Sequence, residues 1–158
     1  MKKYYFQNKE RQEALWREAQ LWLGTPFVAG NCSRGYAVDC VRFVSALMRD
    51  AGAFPELVIP DYTLDHAKHT TRSQLLHYLL DEPALAGRLV FVPVHGPRLP
   101  GDLYGCRSGH ADHHLAVHLS WDKIAHAIED HGVIMQDAND EQFAKRVLYV
   151  LRPLEVSA

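Results

Sequence analysis

Asp39-Cys40-Val41-Arg42-Phe43-Val44-Ser45-Ala46-Leu47-Met48-Arg49-Asp50-Ala51-Gly52 is the stretch on which the fold turns. Cys40, Val44, Leu47 and Ala51 share one stripe at 3.6-residue spacing, with Phe43 and Met48 beside it, so the segment predicts a helix with an apolar face. Asp39 is a side-chain cap for its first turn and Gly52 its stop. The cysteine therefore opens the helix. There it meets unsatisfied backbone N–H groups and the positive end of the dipole, which favour thiolate and make Cys40 the best nucleophile candidate. The alternative is packing, because free cysteine is among the most buried residue types and Cys40 lies on the apolar stripe.

Working outward, residues 25–35 are rich in Gly, Pro, Asn and Ser and predict a loop. Before them Asn8 caps a helix running to Gly24, with Leu15, Ala19, Trp22 and Leu23 on one face. After Gly52 the pattern loosens. Prolines at 55, 60, 83, 93, 97 and 100 punctuate a short helix around Ser73–Leu80 and a strand around Leu89–Val94. Strands are then expected from Asp102, over His114–Leu119, Ile124–Ile128, Val133–Gln136 and Val147–Arg152, as a β-meander. Helices first and antiparallel strands later predict an α+β fold, a single domain over residues 1–158, with no internal repeat.

The composition agrees with one soluble domain: 158 residues, 47% hydrophobic and 23% charged. A net charge of −2 supplies no field for nucleic acid or an anionic membrane. Met1-Lys2-Lys3 is followed by Lys9, Glu10, Arg11 and Glu13 instead of an apolar run, so synthesis in the cytoplasm without a classical secretion signal is expected. The longest uncharged stretch, Leu21–Ser33, is broken by Gly24, Pro26, Gly30 and Asn31 and is too short to span a membrane. Three cysteines, Cys32, Cys40 and Cys106, form no disulfide framework.

A thiol nucleophile needs a base, and the base needs an orienting group. His114 and His126 fall on the two strands of one predicted hairpin. If Ser120-Trp121-Asp122 forms its loop, His126 lies opposite Ala116 and diagonal to His114 on the same face, at roughly 7–8 Å between α-carbons. A two-residue Asp122-Lys123 turn would send the rings to opposite faces. Neither loop contains the glycine that tight hairpins prefer, so local propensity leaves the register open. His113, His118 and His131 read as half-exposed strand and turn residues.

Trp22-Leu23-Gly24-Thr25-Pro26-Phe27, Gly30 and Asp39-Cys40-Val41-Arg42-Phe43-Val44, followed by Pro100-Gly101-Asp102-Leu103, His114-Leu115-Ala116-Val117-His118-Leu119 and Ile124-Ala125-His126-Ala127, resemble, in order, the signatures of the NlpC/p60 cell-wall cysteine peptidases. The resemblance covers most of the chain from Trp22 to about Val133. It implies a papain-like fold, with the helix that carries the nucleophile packed on an antiparallel sheet. It also implies a triad of Cys40 as nucleophile, His114 as proton shuttle and His126 as orienting group, with Phe27, Asp39 and Arg42 around the substrate and no cofactor. The implied substrate is the peptide stem of bacterial peptidoglycan, cleaved after a γ-linked D-glutamate. The missing signal peptide and long middle segment look like single-domain members carried by phage tails, with tail proteins as partners.

The chain departs from the pattern at Phe27, where the family usually has a tyrosine associated with the oxyanion site. It departs again at Val41-Arg42, where small residues are usual, and at Asn31 in place of a second glycine. Arg34, Arg42, Arg72, Arg98 and Arg107 are candidates for substrate carboxylates, as an arginine fork matches a carboxylate. Two other readings compete. One is a metal site on His110, Asp112, His113 and His114, against which stands the alternation that sends adjacent strand side chains to opposite faces. The other is a module of the same fold that binds without turnover. Under the enzyme reading a thiol probe labels Cys40 ahead of Cys32 and Cys106, and activity rises as pH passes histidine's ordinary value of roughly 6.5.

Overall fold

The computed structural model describes residues 2–60, 74–108 and 111–156, and the side chains of Ala111 and Asp112 are left aside. Helix α1 spans Lys9–Trp22 and starts where Asn8 accepts a hydrogen bond from the Arg11 amide at 2.8 Å. It buries Leu15, Ala19 and Trp22 and gives way to Gly24 at φ +84°. Helix α2 spans Cys40–Asp50, with the Asp39 carboxylate accepting from the Arg42 amide at 2.9 Å. The Trp22 and Phe43 rings meet edge to face at 5.6 Å and join the two helices. Both helices stand where the sequence expects them. The intervening loop holds a two-residue ribbon, β1 (Cys32–Ser33) on β2 (Ala37–Val38).

After the second helix come α3 (Gln74–Asp81), which buries Leu75 and Leu79, and strand β3 (Leu89–Val92). The strand stops two residues short of the expected end because Pro93 has no N–H for the ladder. Five more strands follow: β4 (Leu103–Ser108), β5 (Ala111–Leu119), β6 (Lys123–Ile128), β7 (Gly132–Asp137) and β8 (Val147–Pro153). They form one antiparallel sheet with β3, in the order β3-β8-β4-β5-β6-β7.

The expected meander holds for β4 to β7 and fails at β8. That strand returns to lie between β3 and β4. Its Tyr149, Val150 and Leu151 are all buried, which an edge strand with one wet face would not allow. No helix among the described residues is long and apolar enough to cross a membrane.

The sheet is covered on both sides. Leu103, Leu115, Val117, Leu119, Ala125, Ala127 and Leu151 join α1 and α2 in the main core. On the opposite face Tyr104, Cys106, Ala116, Ile124 and Val150 pack under Phe143, which comes from the short helix α4 (Glu141–Ala144). Alternation along β4, β5 and β6 sorts odd from even positions in this way, so His114 and His126 belong to the α4 face.

The hairpin register is the one that puts both rings on one face. Val117 pairs with Ala125, His118 with Ile124 and Leu119 with Lys123, leaving Ser120-Trp121-Asp122 as the loop. Trp121 and Asp122 take φ of +66° and +51° without glycine. The left-handed turn is held by the sheet, not by local preference.

Gly132, at the start of β7, joins this frame to the segment before Cys40. Its φ is +75°, and a Cβ there would lie 2.4 Å from the Thr25 carbonyl oxygen, which accepts from the Val133 amide at 2.9 Å. Gly132→Ala is therefore expected to destabilise the domain by more than the roughly 1–3 kcal/mol typical of overpacking. Chemical unfolding measures this, and a wild-type midpoint would contradict it.

Candidate active site

Cys40 is buried, 5% exposed, where the first turn of α2 abuts β5. Its thiol donates to the His113 carbonyl at 3.4 Å. Burial pushes its pKa up to about 12, against the pull of the backbone N–H groups of Leu115, Val41 and Cys40 itself. The N-terminal position acts in the direction the sequence suggests, and desolvation outweighs it. At neutral pH the resting group is a thiol.

The strand beneath carries an irregularity that alternation does not predict. Cys106 pairs with His114 and Arg107 with Asp112, so the register shifts by one residue at His113, a β-bulge. The bulge brings His113 and His114 to the same cleft, of about 350 Å³, which Cys40, His126 and Phe27 also line. His110 lies outside the described residues. Among the described residues no three His, Cys, Asp or Glu side chains come together as a metal-binding group.

His114 Nε2 lies 2.8 Å from His126 Nδ1, and His126 Nε2 lies 2.8 Å from Gln136 Oε1. The edge of Phe143 stands at 90° to His126 with centroids 5.7 Å apart, so packing as well as hydrogen bonding fixes that ring. Burial lowers the His114 pKa to about 3, helped by the charges that His126, His113 and Arg146 would place nearby. Burial also lowers His126, against the raising effect of its Gln136 hydrogen bond. Both rings are neutral at physiological pH.

Sequence reasoning overlooked Gln136. It sits on β7 two residues beyond Ile134, the partner of His126, and so on the same face. The predicted strand Val133–Gln136 contained the signal, but only the β6–β7 register makes it readable.

The remaining candidate residues divide. Phe27 is half-buried, bridges Val38 and lines the cleft with a ring that carries no hydroxyl. Asp39 and Arg42 hold the start of α2: Arg42 Nη1 donates to Asp39 Oδ2 at 2.6 Å, Arg42 Nη2 to the Ile59 carbonyl at 3.0 Å, and the Gly30 amide to Asp39 Oδ2 at 2.8 Å. Their polar atoms clamp the loop before Cys40. His118 is buried, not half-exposed, with Nδ1 at 2.8 Å from the Tyr104 hydroxyl, and His113 is also buried, whereas His131 is exposed.

Two expectations change with this geometry. Cys32 is exposed and Cys40 is not, so a general alkylating reagent near neutral pH should modify Cys32 first, reversing the order expected for a low-pKa thiol. Peptide mapping of briefly labelled protein checks this, and Cys40 labelling ahead of Cys32 would contradict the buried thiol. Histidine's ordinary value near 6.5 becomes the upper edge of the range in which acid should act on the fold. His114, His118 and His126 all have lowered folded-state values, so the unfolded chain binds more protons as pH falls. Their contribution to stability is full above about 6.5 and is lost on going down toward about 3. The thermal midpoint should fall steeply over that interval, and a flat curve would count against burial of the rings.

The fold and cleft together define a class: a papain-like α+β domain with a cysteine at a helix start and a histidine pair on the neighbouring sheet. Solved structures give that class its narrower form, the NlpC/p60 fold. A Staphylococcus aureus Mu50 protein of the NLP/P60 family, described as similar to lipoprotein, superposes over 97% of this chain with a TM-score of 0.63 and 16% identity. The NlpC/p60 domain of the peptidoglycan hydrolase SagA matches over 92% with a TM-score of 0.53 and 19% identity. The peptidoglycan hydrolase RipB of Mycobacterium tuberculosis matches over 94%, at 0.51 and 19%. The chain spans 44% of the S. aureus protein, 98% of the SagA domain and 67% of the RipB chain. The sequence matches no protein-family model and no curated protein at a significant level.

Proposed function

We propose that this domain hydrolyses an amide bond in the peptide stems of bacterial peptidoglycan by cysteine catalysis. One observation carries the reading: Cys40 and the His114–His126–Gln136 chain open on one cleft, in a fold whose solved neighbours include peptidoglycan hydrolases. The Cys40 sulfur attacks the carbonyl carbon while its proton passes to His114 Nδ1, the ring nitrogen that His126 does not engage. The carbonyl oxygen becomes an oxyanion beside the N–H groups of Cys40 and Val41, and Phe27 adds no hydroxyl there. Collapse expels the amine, which takes the proton from His114 and leaves a thioester on Cys40. Water then gives a proton to His114, attacks the thioester and frees the carboxylate, returning the proton to sulfur. Burial of both groups disfavours a resting thiolate–imidazolium pair, so proton transfer accompanies attack in this scheme.

The favoured bond is the one joining γ-linked D-glutamate to the diamino acid. Digestion of purified peptidoglycan, with products identified by mass, tests the reading. Fragments beginning at the diamino acid are expected, and intact stems after long incubation would refute hydrolysis. The hydroxyl-free Phe27 and the buried thiol also suit a second reading, a wall-binding module without turnover. That reading predicts co-sedimentation with peptidoglycan and no products.

A further inference from the structure

Neutral imidazole has one N–H and one lone pair, so a chain of two such rings has a direction. Only one proton lies between His114 Nε2 and His126 Nδ1, 2.8 Å apart. If His114 supplies it, His114 Nδ1 keeps its lone pair and can take a proton from the thiol. If His126 supplies it, His114 Nδ1 is itself protonated and no base faces the cleft. The histidines do not choose between these states, because each ring is equally able to give or accept.

Gln136 breaks the tie. Its Oε1 faces His126 Nε2 at 2.8 Å, and a carbonyl oxygen only accepts. His126 Nε2 must then carry the ring's single hydrogen, His126 Nδ1 must accept, and His114 Nε2 must donate. We infer that Gln136 is a positioning residue that sets the direction of the histidine chain, holding His114 as the tautomer whose free Nδ1 lone pair serves as base. A flipped amide would present N–H to His126 and impose the inactive direction. The inference rests on the proposed hydrolysis only for its consequence; the tautomer belongs to the resting protein.

Nitrogen NMR of uniformly labelled wild-type protein at pH 7 reads the tautomers without any substrate. The expected result is an N–H on Nε2 of both His114 and His126. An N–H on His114 Nδ1 would overturn the inference and leave the proposed activity to stand or fall separately. Two variants extend the test. Gln136→Met has similar length and only a weak sulfur acceptor in place of the carbonyl, and should lower kcat by about 10–10²-fold with little change in KM, as for weakened general-base catalysis. Gln136→Glu keeps an acceptor that cannot flip, so it should retain most of kcat while its charge moves the acidic limb of the pH profile upward. Equal losses in the two variants, with no change in pH profile for Glu, would mark Gln136 as packing alone and overturn the inference.

Discussion

Replacing Cys40 with Ala is expected to abolish hydrolysis of peptidoglycan stems, by a factor on the order of 10⁴ or more, while the domain stays folded. The size follows from the role: no other thiol takes its place. Cys32 does not line the cleft, and Cys106, which does, sits on strand β4 across from His114 and not at the helix start whose N–H groups face the oxyanion. The fold survives because alanine keeps the helical first turn, and the substitution removes one weak hydrogen bond, from sulfur to the His113 carbonyl. Product formation in a wall digest and circular dichroism of the same sample check the two halves together. Turnover by the alanine variant would move the chemistry away from Cys40.

Asp102→Ala is expected to cost about 3–5 kcal/mol of stability, the range for removing one partner of a buried ion pair. For a domain of this size that lowers the thermal midpoint by roughly 6–20 °C. Asp102 is fully buried and binds Arg152 of β8 with both carboxylate oxygens, Nε to Oδ1 at 2.7 Å and Nη2 to Oδ2 at 2.8 Å. Its Oδ2 also accepts from the Leu99 amide at 2.9 Å. Removing the carboxylate strands a guanidinium that is only 11% exposed. Asp102→Leu with Arg152→Met should be milder than Asp102→Ala, because replacing both charges removes the stranded one. Equal losses in the two variants would place the cost in packing instead of charge. Either way the motif Pro100-Gly101-Asp102-Leu103 serves as a joint that ties β8 beside β4, and its aspartate does not line the cleft of Cys40 and His114.

That joint also marks the limit of what the residues reveal by themselves. Caps and stripes are local, so Asn8, Asp39, Gly24 and Gly52 make both long helices legible within a residue or two. The insertion of β8 rests on pairings of residues distant in the chain, the Asp102–Arg152 ion pair among them, and its strand reads as ordinary apolar sequence. The same contrast runs through the site. His114 and His126 are legible as a pair because they flank one hairpin, yet its register is fixed by packing against α2 on one face and Phe143 on the other, and forces Trp121 into a left-handed turn. The bulge at His113 and the place of Gln136 depend on cross-strand pairing. The thiol's pKa was legible in sign only for the helix terminus; desolvation, the larger effect, requires the surrounding core.

If Cys40 attacks the stem-peptide carbonyl, a thioester is the direct chemical trace. Wild-type protein mixed with a soluble stem peptide and quenched in acid within the first turnovers should carry the acyl fragment on the peptide containing Cys40, by mass after proteolysis. That adduct is expected in the wild type and none in Cys40→Ala. Continued product release from the wild type with the acyl group on another residue, or from Cys40→Ala itself, would contradict it.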